Sequence, residues 1–262
     1  MPTFRRTAAV LAGLVLAVGL AACGSSSTPG DAGSTAPKAT PYVIYSDNAF
    51  PPFEYLDTAN NTYVGVDMDL LAAIAADQGF SYQVKNEGFD AAMGAVQSGQ
   101  ADAMIAGMTI TDERKKTFDF SSGYFTDGQI MVVPEASTAA SPTDLKGTTV
   151  AVKASTQGAT YANSVKDEFG FQVQVYEDSP TMYQAVVNGI NSACFEDRSV
   201  IGWAIAQGQV KLKTVGDVLN PGEYGFAVKA GTHADLLAKF NAGLANLKAN
   251  GEYDKILAKY GY

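Results

Sequence analysis

Histidine and cysteine are scarce in this chain: it has one histidine, His233, and two cysteines, Cys23 and Cys194. That excludes a Cys/His metal centre, which needs paired ligands at regular spacing. No Gly-x-Ser-x-Gly elbow and no phosphate-binding loop occurs, so nothing points to hydrolase chemistry, nucleotide binding or any cofactor. His233 stands in a loop before a helix, where a surface position suits it better than the role of a general base. Cations are also outnumbered, 18 Lys and Arg against 27 Asp and Glu, for a formal net charge of −9. An acidic chain is a poor partner for nucleic acid or anionic lipid. The apolar run from Ala8 to Leu20 is too short to cross a bilayer as a helix.

What is present begins with an address. Arg5-Arg6 and the apolar run lead to Leu20-Ala21-Ala22-Cys23-Gly24, which resembles a bacterial lipobox. It implies a lipoprotein signal peptide over residues 1–22 and lipid on Cys23. The protein is then expected outside the cytoplasm, anchored to the outer face of the cell membrane, with a net charge of −11 once Arg5 and Arg6 are removed. Residues 23–41 are Gly, Ser, Thr, Ala and Pro with few charges and read as a flexible tether. With Cys23 acylated, no intramolecular disulfide is possible, and Cys194 reads as an inert buried thiol.

The stretch Met104 to Lys116 organises the folded part. It starts as an apolar strand, turns polar at Thr109-Ile110-Thr111, and opens a short helix with Thr111 or Asp112 as N-cap and Arg114 in the first turn. Hydroxyls, helix-start N–H groups and a guanidinium fork suit a carboxylate. A solvated basic turn is the other reading of the same residues. An internal echo bears on the choice. Ala95-Val96-Gln97-Ser98-Gly99 before Ala103 is repeated by Ala185-Val186-Val187-Asn188-Gly189 before Ala193. Continued, the alignment sets Ala106-Gly107 against Glu196-Asp197. Thr149 to Lys153 likewise repeats the strand from Tyr42. The chain thus reads as two α/β lobes of one design, residues 42–128 with 225–262 and residues 129–224, joined by two crossings that form a hinge. Ligands bind at the carboxyl ends of strands in open α/β sheets, where Asp47, Gly107, Lys153 and Asp197 all fall. Asp67 and Asp69, at a helix start, read as structural.

These residues resemble the polar amino-acid-binding proteins of ABC importers, solute-binding family 3, over about residues 42–262. The landmarks are Phe50-Pro51-Pro52-Phe53-Glu54, Gly65-Val66-Asp67-Met68-Asp69-Leu70, Gly107 to Arg114, Asp144-Leu145-Lys146-Gly147, Lys153 with Thr156, and Asn250-Gly251-Glu252-Tyr253. The glutamine-binding members are the most similar. The resemblance implies the two-lobed type II periplasmic-binding-protein fold, with no enzymatic activity. The implied partners are an amino-acid ligand and the permease and ATPase subunits in the membrane, and the protein is expected to be a monomer. It also implies roles. Arg114 clamps the α-carboxylate, helped by Thr109 and by N–H groups near Thr156. Asp197 and the Gly107 carbonyl take the α-ammonium. Phe50 and Phe89 sandwich the aliphatic part, and Asp47 and Lys153 read the side-chain end. A neutral amide satisfies both an acceptor and a donor, so glutamine fits first; glutamate, asparagine and basic amino acids stay open. Glu196 stands where glutamine-binding relatives often carry His, which leaves the ligand open. A dehydratase on the same fold and a ligand sensor for a membrane regulator are the rival functions.

Overall fold

The computed structural model describes residues 40–262. The expected signal segment, Cys23 and nearly all of the tether lie outside them. Among the described residues, no helix is long and apolar enough to cross a membrane.

Two five-stranded sheets carry the fold. In spatial order the first holds Tyr82–Glu87, Tyr42–Asp47, Ala103–Met104, Ala227–Lys229 and Phe118–Phe120. The second holds Gln172–Tyr176, Thr149–Lys153, Ala193–Asp197, Phe125–Pro134 and Leu212–Tyr224. Each begins with three parallel strands, the earliest in the middle, followed by an antiparallel strand. Parallel neighbours need a crossover, which here is a helix. In the first sheet these are α1 (Val66–Gln78) and α2 (Phe89–Ser98); in the second, α3 (Gln157–Phe169) and α4 (Ser179–Val187), followed by α5 (Arg198–Ala206). The sequence supplies residues that bound these crossovers. Gly79 and Gly99 take left-handed geometry after α1 and α2. Asp178 caps α4 by accepting the Thr181 N–H at 2.7 Å.

The repeat holds at the level of single hydrogen bonds. After α2, the N–H groups of Gln100 and Ala101 both donate to the Ala95 carbonyl. After α4, those of Ile190 and Asn191 both donate to the Ala185 carbonyl. The same geometry therefore delivers Ala103 and Ala193 to their sheets.

The chain passes from the first sheet to the second between Phe120 and Phe125, and returns between Tyr224 and Ala227. The crossings lie side by side: Phe125, Thr126 and Asp127 pair with Tyr224, Glu223 and Gly222. Two final helices, α6 (Ala234–Asn250) and α7 (Glu252–Lys259), return to α1. Phe240 stacks on Phe226 at 4.4 Å. Gly243 lets α6 come close, since a Cβ there would stand 2.8 Å from Ile74 Cγ2. Ile44, Leu70, Leu71, Ile74 and Phe240 are fully buried in this core, each contributing about 1.5–3 kcal/mol. The first lobe is thereby a firm base for the strand ends above it.

Candidate functional site

The carboxyl ends of the strands from both sheets converge on one narrow cavity of about 10 Å³. Phe50, Phe89, Ala106, Gly107, Thr109, Arg114, Lys153, Thr156, Gln157 and Asp197 line it. Eight of the nine expected site residues are in that set; Asp47 stands behind Lys153 instead.

Arg114 enters from the first lobe. The expected helix is a single 3₁₀ turn, Arg114–Lys116, cut short because Phe118–Phe120 is already a strand. Its N-cap is Glu113, without a side-chain cap, rather than Thr111 or Asp112; Thr111 Oγ1 accepts the Arg114 N–H at 3.2 Å, and the Lys115 N–H donates to the Thr111 carbonyl. These N–H groups are therefore used inside the turn, contrary to the expectation that they would serve an anion. The guanidinium is nine-tenths buried. It donates to the Thr109 carbonyl at 2.8 Å and, across the cleft, to the Ser155 carbonyl at 2.9 Å. Two of its five donors are engaged, which leaves a fork for a carboxylate. Burial lowers its pKa to about 10, with Asp197 and Tyr224 opposing, so it stays charged at neutral pH.

The helix start that does open on the cavity is that of α3. Thr156 caps it, accepting the Ala159 N–H at 3.2 Å and donating to the Lys153 carbonyl at 2.8 Å. Gly158 seats α3 against the neighbouring strand, where a Cβ would meet the Phe195 carbonyl oxygen at 2.6 Å.

Asp197 ends a strand of the second sheet. Gln129 donates to its Oδ1 at 2.6 Å and Tyr224 to its Oδ2 at 2.7 Å. Burial, then Glu196 and Asp127, push its pKa up to about 7 against those two bonds. Opposite it is Gly107, with φ +53°. A Cβ at Gly107 would stand 2.6 Å from Phe50 Cε1, so both backbone and neighbour require glycine here.

At the other end, Lys153 and Asp47 form a cross-cleft ion pair, with 2% and 1% of their side chains exposed. Asp47 is held in turn by the N–H groups of Asn48 and Ala49. The Lys153 ammonium lies 4.6 Å from the Phe50 ring centre and 5.7 Å from that of Phe89. Burial alone would lower its pKa; Asp47 and then Glu196 outweigh burial and raise it.

Beneath the first lobe's wall lies a pair of acids that the sequence did not single out as one. Asp67 Oδ2 accepts the Gly107 N–H at 2.9 Å and the Tyr124 hydroxyl at 2.8 Å. Its Oδ1 and both oxygens of fully buried Glu54 have no conventional donor. Two ionised carboxylates without donors at this depth would repel each other, so one of the pair is protonated. Burial, then Asp67 and Asp47, raise Glu54 well above the carboxylate range, while Asp67, raised mainly by burial, sits at about 6. Glu54 therefore carries the shared proton, and Asp67 steadies Gly107. Asp69 is also structural, receiving Lys259 and Tyr260 from the C-terminal helix region.

Reasoning from the sequence missed Ala106 and Gln157 as cavity residues, and Gln129 and Tyr224 as partners of Asp197. Ala106 was reachable, since it precedes Gly107 in the repeat alignment. Gln157 was likewise reachable, next to Thr156 at the start of α3; Gln129 and Tyr224 follow from contacts between distant segments and leave no local signal.

Comparison with known proteins bears on the family and the fold. Residues 42–262 match the model of the bacterial extracellular solute-binding proteins, family 3. A probable histidine-binding protein of Neisseria gonorrhoeae is 33% identical, covering 93% of this chain and 91% of that protein. Substrate-binding domain 2 of Lactococcus lactis GlnP, solved in an open conformation, is 44% identical, covering 86% of this chain and 97% of its own, with a TM-score of 0.60. An ancestral arginine-binding protein bound to arginine is only 35% identical, yet its TM-score is 0.78, over 84% of this chain and 98% of its own. Structural likeness thus runs opposite to identity. The Lactococcus domain is described as open, whereas in the present chain the lobes are in contact through Lys153 with Asp47 and Arg114 with Ser155. With two like lobes, a two-strand hinge and a buried cleft at the strand ends, the chain belongs to the bacterial extracellular solute-binding proteins of family 3.

Proposed function

We propose that this protein captures a polar L-amino acid by closing its lobes, and hands it unchanged to the membrane subunits of an ABC importer. The observation that carries this reading is a buried cation, Arg114, and an acid, Asp197, lining one cavity from different lobes with two aromatic rings between. A zwitterion needs a fixed positive and a fixed negative partner at a short separation. Arg114 takes the α-carboxylate with Thr109 and the start of α3. Asp197 and the Gly107 carbonyl take the α-ammonium, and Phe50 and Phe89 cover the aliphatic part. The protein is held outside the cell membrane by lipid on Cys23 and works as a monomer.

Glutamine is the ligand that the far end suits best. Relatives are named for histidine and for arginine, but a basic side chain entering here would meet the Lys153 ammonium between the rings. A glutamate carboxylate would meet Asp47. A neutral amide donates to Asp47 and accepts from Lys153. The test is calorimetric titration of the purified protein, freed of lipid and of co-purified ligand, with each common amino acid. Glutamine is expected to bind at micromolar or lower concentration and to be recovered intact. Binding of none would defeat the reading, and conversion of the ligand would restore the enzymatic alternative.

A further inference from the structure

We propose that Glu196 sets the specificity of this site by acting as a second counter-ion to Lys153, so that the far end admits a neutral amide and rejects a side-chain carboxylate. The inference rests on the amino-acid-binding reading above and extends it to a residue outside the cavity lining.

Strand register places Glu196. In the second sheet, Cys194 pairs with Ala151 on the parallel neighbour. Two residues further along each strand, on the same face, Glu196 comes beside Lys153. Glu196 is 4% exposed and neither forms the cavity wall nor faces solvent. Its Oε2 accepts from Ser179 at 2.6 Å and from Tyr183 at 3.0 Å, and its Oε1 accepts the Asp197 N–H at 2.9 Å. Burial raises its pKa above the ordinary carboxylate value, and Lys153, then the three donors, oppose that rise and favour the ionised form. Lys153 itself is ion-paired with Asp47 rather than with Glu196.

The far end thus holds one cation and two anions. An amide entering from the cavity parts Lys153 from Asp47. Asp47 then gains the amide N–H, and Lys153 gains the amide oxygen while Glu196 remains as its counter-charge. No buried charge is stranded. A glutamate side chain offers Asp47 no donor and adds a further negative charge to a cluster already one charge negative. Without Glu196, the same cluster would be neutral and that penalty would shrink.

The experiment compares glutamine and glutamate affinities by calorimetry at pH 7 for wild type, Glu196→Gln and Glu196→Asp. In E196Q the ratio of glutamate to glutamine dissociation constants is expected to fall at least about tenfold, the size of effect that one charge at roughly 6 Å exerts in a partly screened interior. E196D keeps the charge and should keep the ratio within about threefold. A general packing defect would weaken both ligands together and leave the ratio alone. An unchanged ratio in E196Q, or an equal fall in both variants, would overturn the assignment while leaving amino-acid binding intact. Wild type binding no amino acid would instead defeat the underlying reading. If E196Q does not fold, Glu196→His, neutral at pH 8, answers the same question there by the same ratio.

Discussion

Lowering the pH from 8 to 6 is expected to weaken ligand capture about tenfold, through Asp197. The carboxyl sits at about 7 because burial, Glu196 and Asp127 together exceed the help it receives from Tyr224 and Gln129. A ligand ammonium needs the ionised form. Binding therefore expels the proton, and affinity must fall as the pH drops through 7. For one group with that pKa, the ionised fraction changes from about nine-tenths at pH 8 to about one-tenth at pH 6, which is about 1.3 kcal/mol. Calorimetry at pH 6, 7 and 8 reads the slope directly. At pH 7, two buffers of different protonation enthalpy should report roughly half a proton released per ligand bound. Asp67, at about 6, titrates in the same window. The Asp67→Asn variant should therefore keep most of the slope, whereas Asp197→Asn should lose it along with most of the affinity. An affinity flat between pH 6 and 8, with no buffer dependence of the enthalpy, would refute the linkage.

Other substitutions test separate parts of the site. Arg114→Ala should cost about 3 kcal/mol of binding, or about a hundredfold in the dissociation constant, because a buried ligand carboxylate would lose its charged partner; retained affinity in titration would sink the carboxylate assignment. Gly107→Ala should lower affinity at least about tenfold and destabilise the fold by about 1–2 kcal/mol, from its positive φ and the Phe50 ring 2.6 Å from the new Cβ. Glu54→Gln supplies an N–H donor to Asp67 in place of the shared proton, so its melting temperature should stay within a few degrees of wild type at pH 7. Glu54→Leu removes the protonated carboxyl from beside Asp67 and should cost about 1–3 kcal/mol in denaturant unfolding. Both acids of that pair are raised, so their contribution to stability is full below about pH 4 and declines as the pH rises through 6. A wild-type melting curve rising over that range would contradict the pairing.

The parts of this site that the sequence revealed are those written in short-range patterns. A helix end, a glycine stop and a strand start recur around Gly99 and Gly189, and they alone align Gly107 with Asp197. The hydrogen bonds to Ala95 and Ala185 show why such a pattern is informative: a local turn geometry fixes where the next strand begins. Arg114 was found by the same logic, but its helix was overestimated. Lys115-Lys116-Thr117 offers no apolar residue to continue a helical face, and the alternation of Phe118-Asp119-Phe120 hands the chain to the sheet.

What stayed hidden depends on register between segments far apart in the chain. Glu196 is the clearest case. The sequence allowed it to face the cleft or solvent, and it does neither. It lies inside the second lobe, and its meaning comes from Lys153 on the adjacent strand and from Ser179 and Tyr183 on α4. Asp197 is alike: the residues that hold it, Gln129 and Tyr224, come from the two crossings. The hinge strands therefore also furnish the site. Tyr224 pairs with Phe125 in the hinge while its hydroxyl holds the acid proposed to bind the ammonium. Tyr224 also packs on Phe53 and Tyr124 in the first lobe's core, so its bond to Asp197 ties the acid of the second lobe to the first at the hinge. Arg114, by contrast, reaches Ser155 only when the lobes meet. In the proposed binding mode both ends of the ligand therefore draw on both lobes: Asp197 with the Gly107 carbonyl at the ammonium, and Arg114 with the start of α3 at the carboxylate.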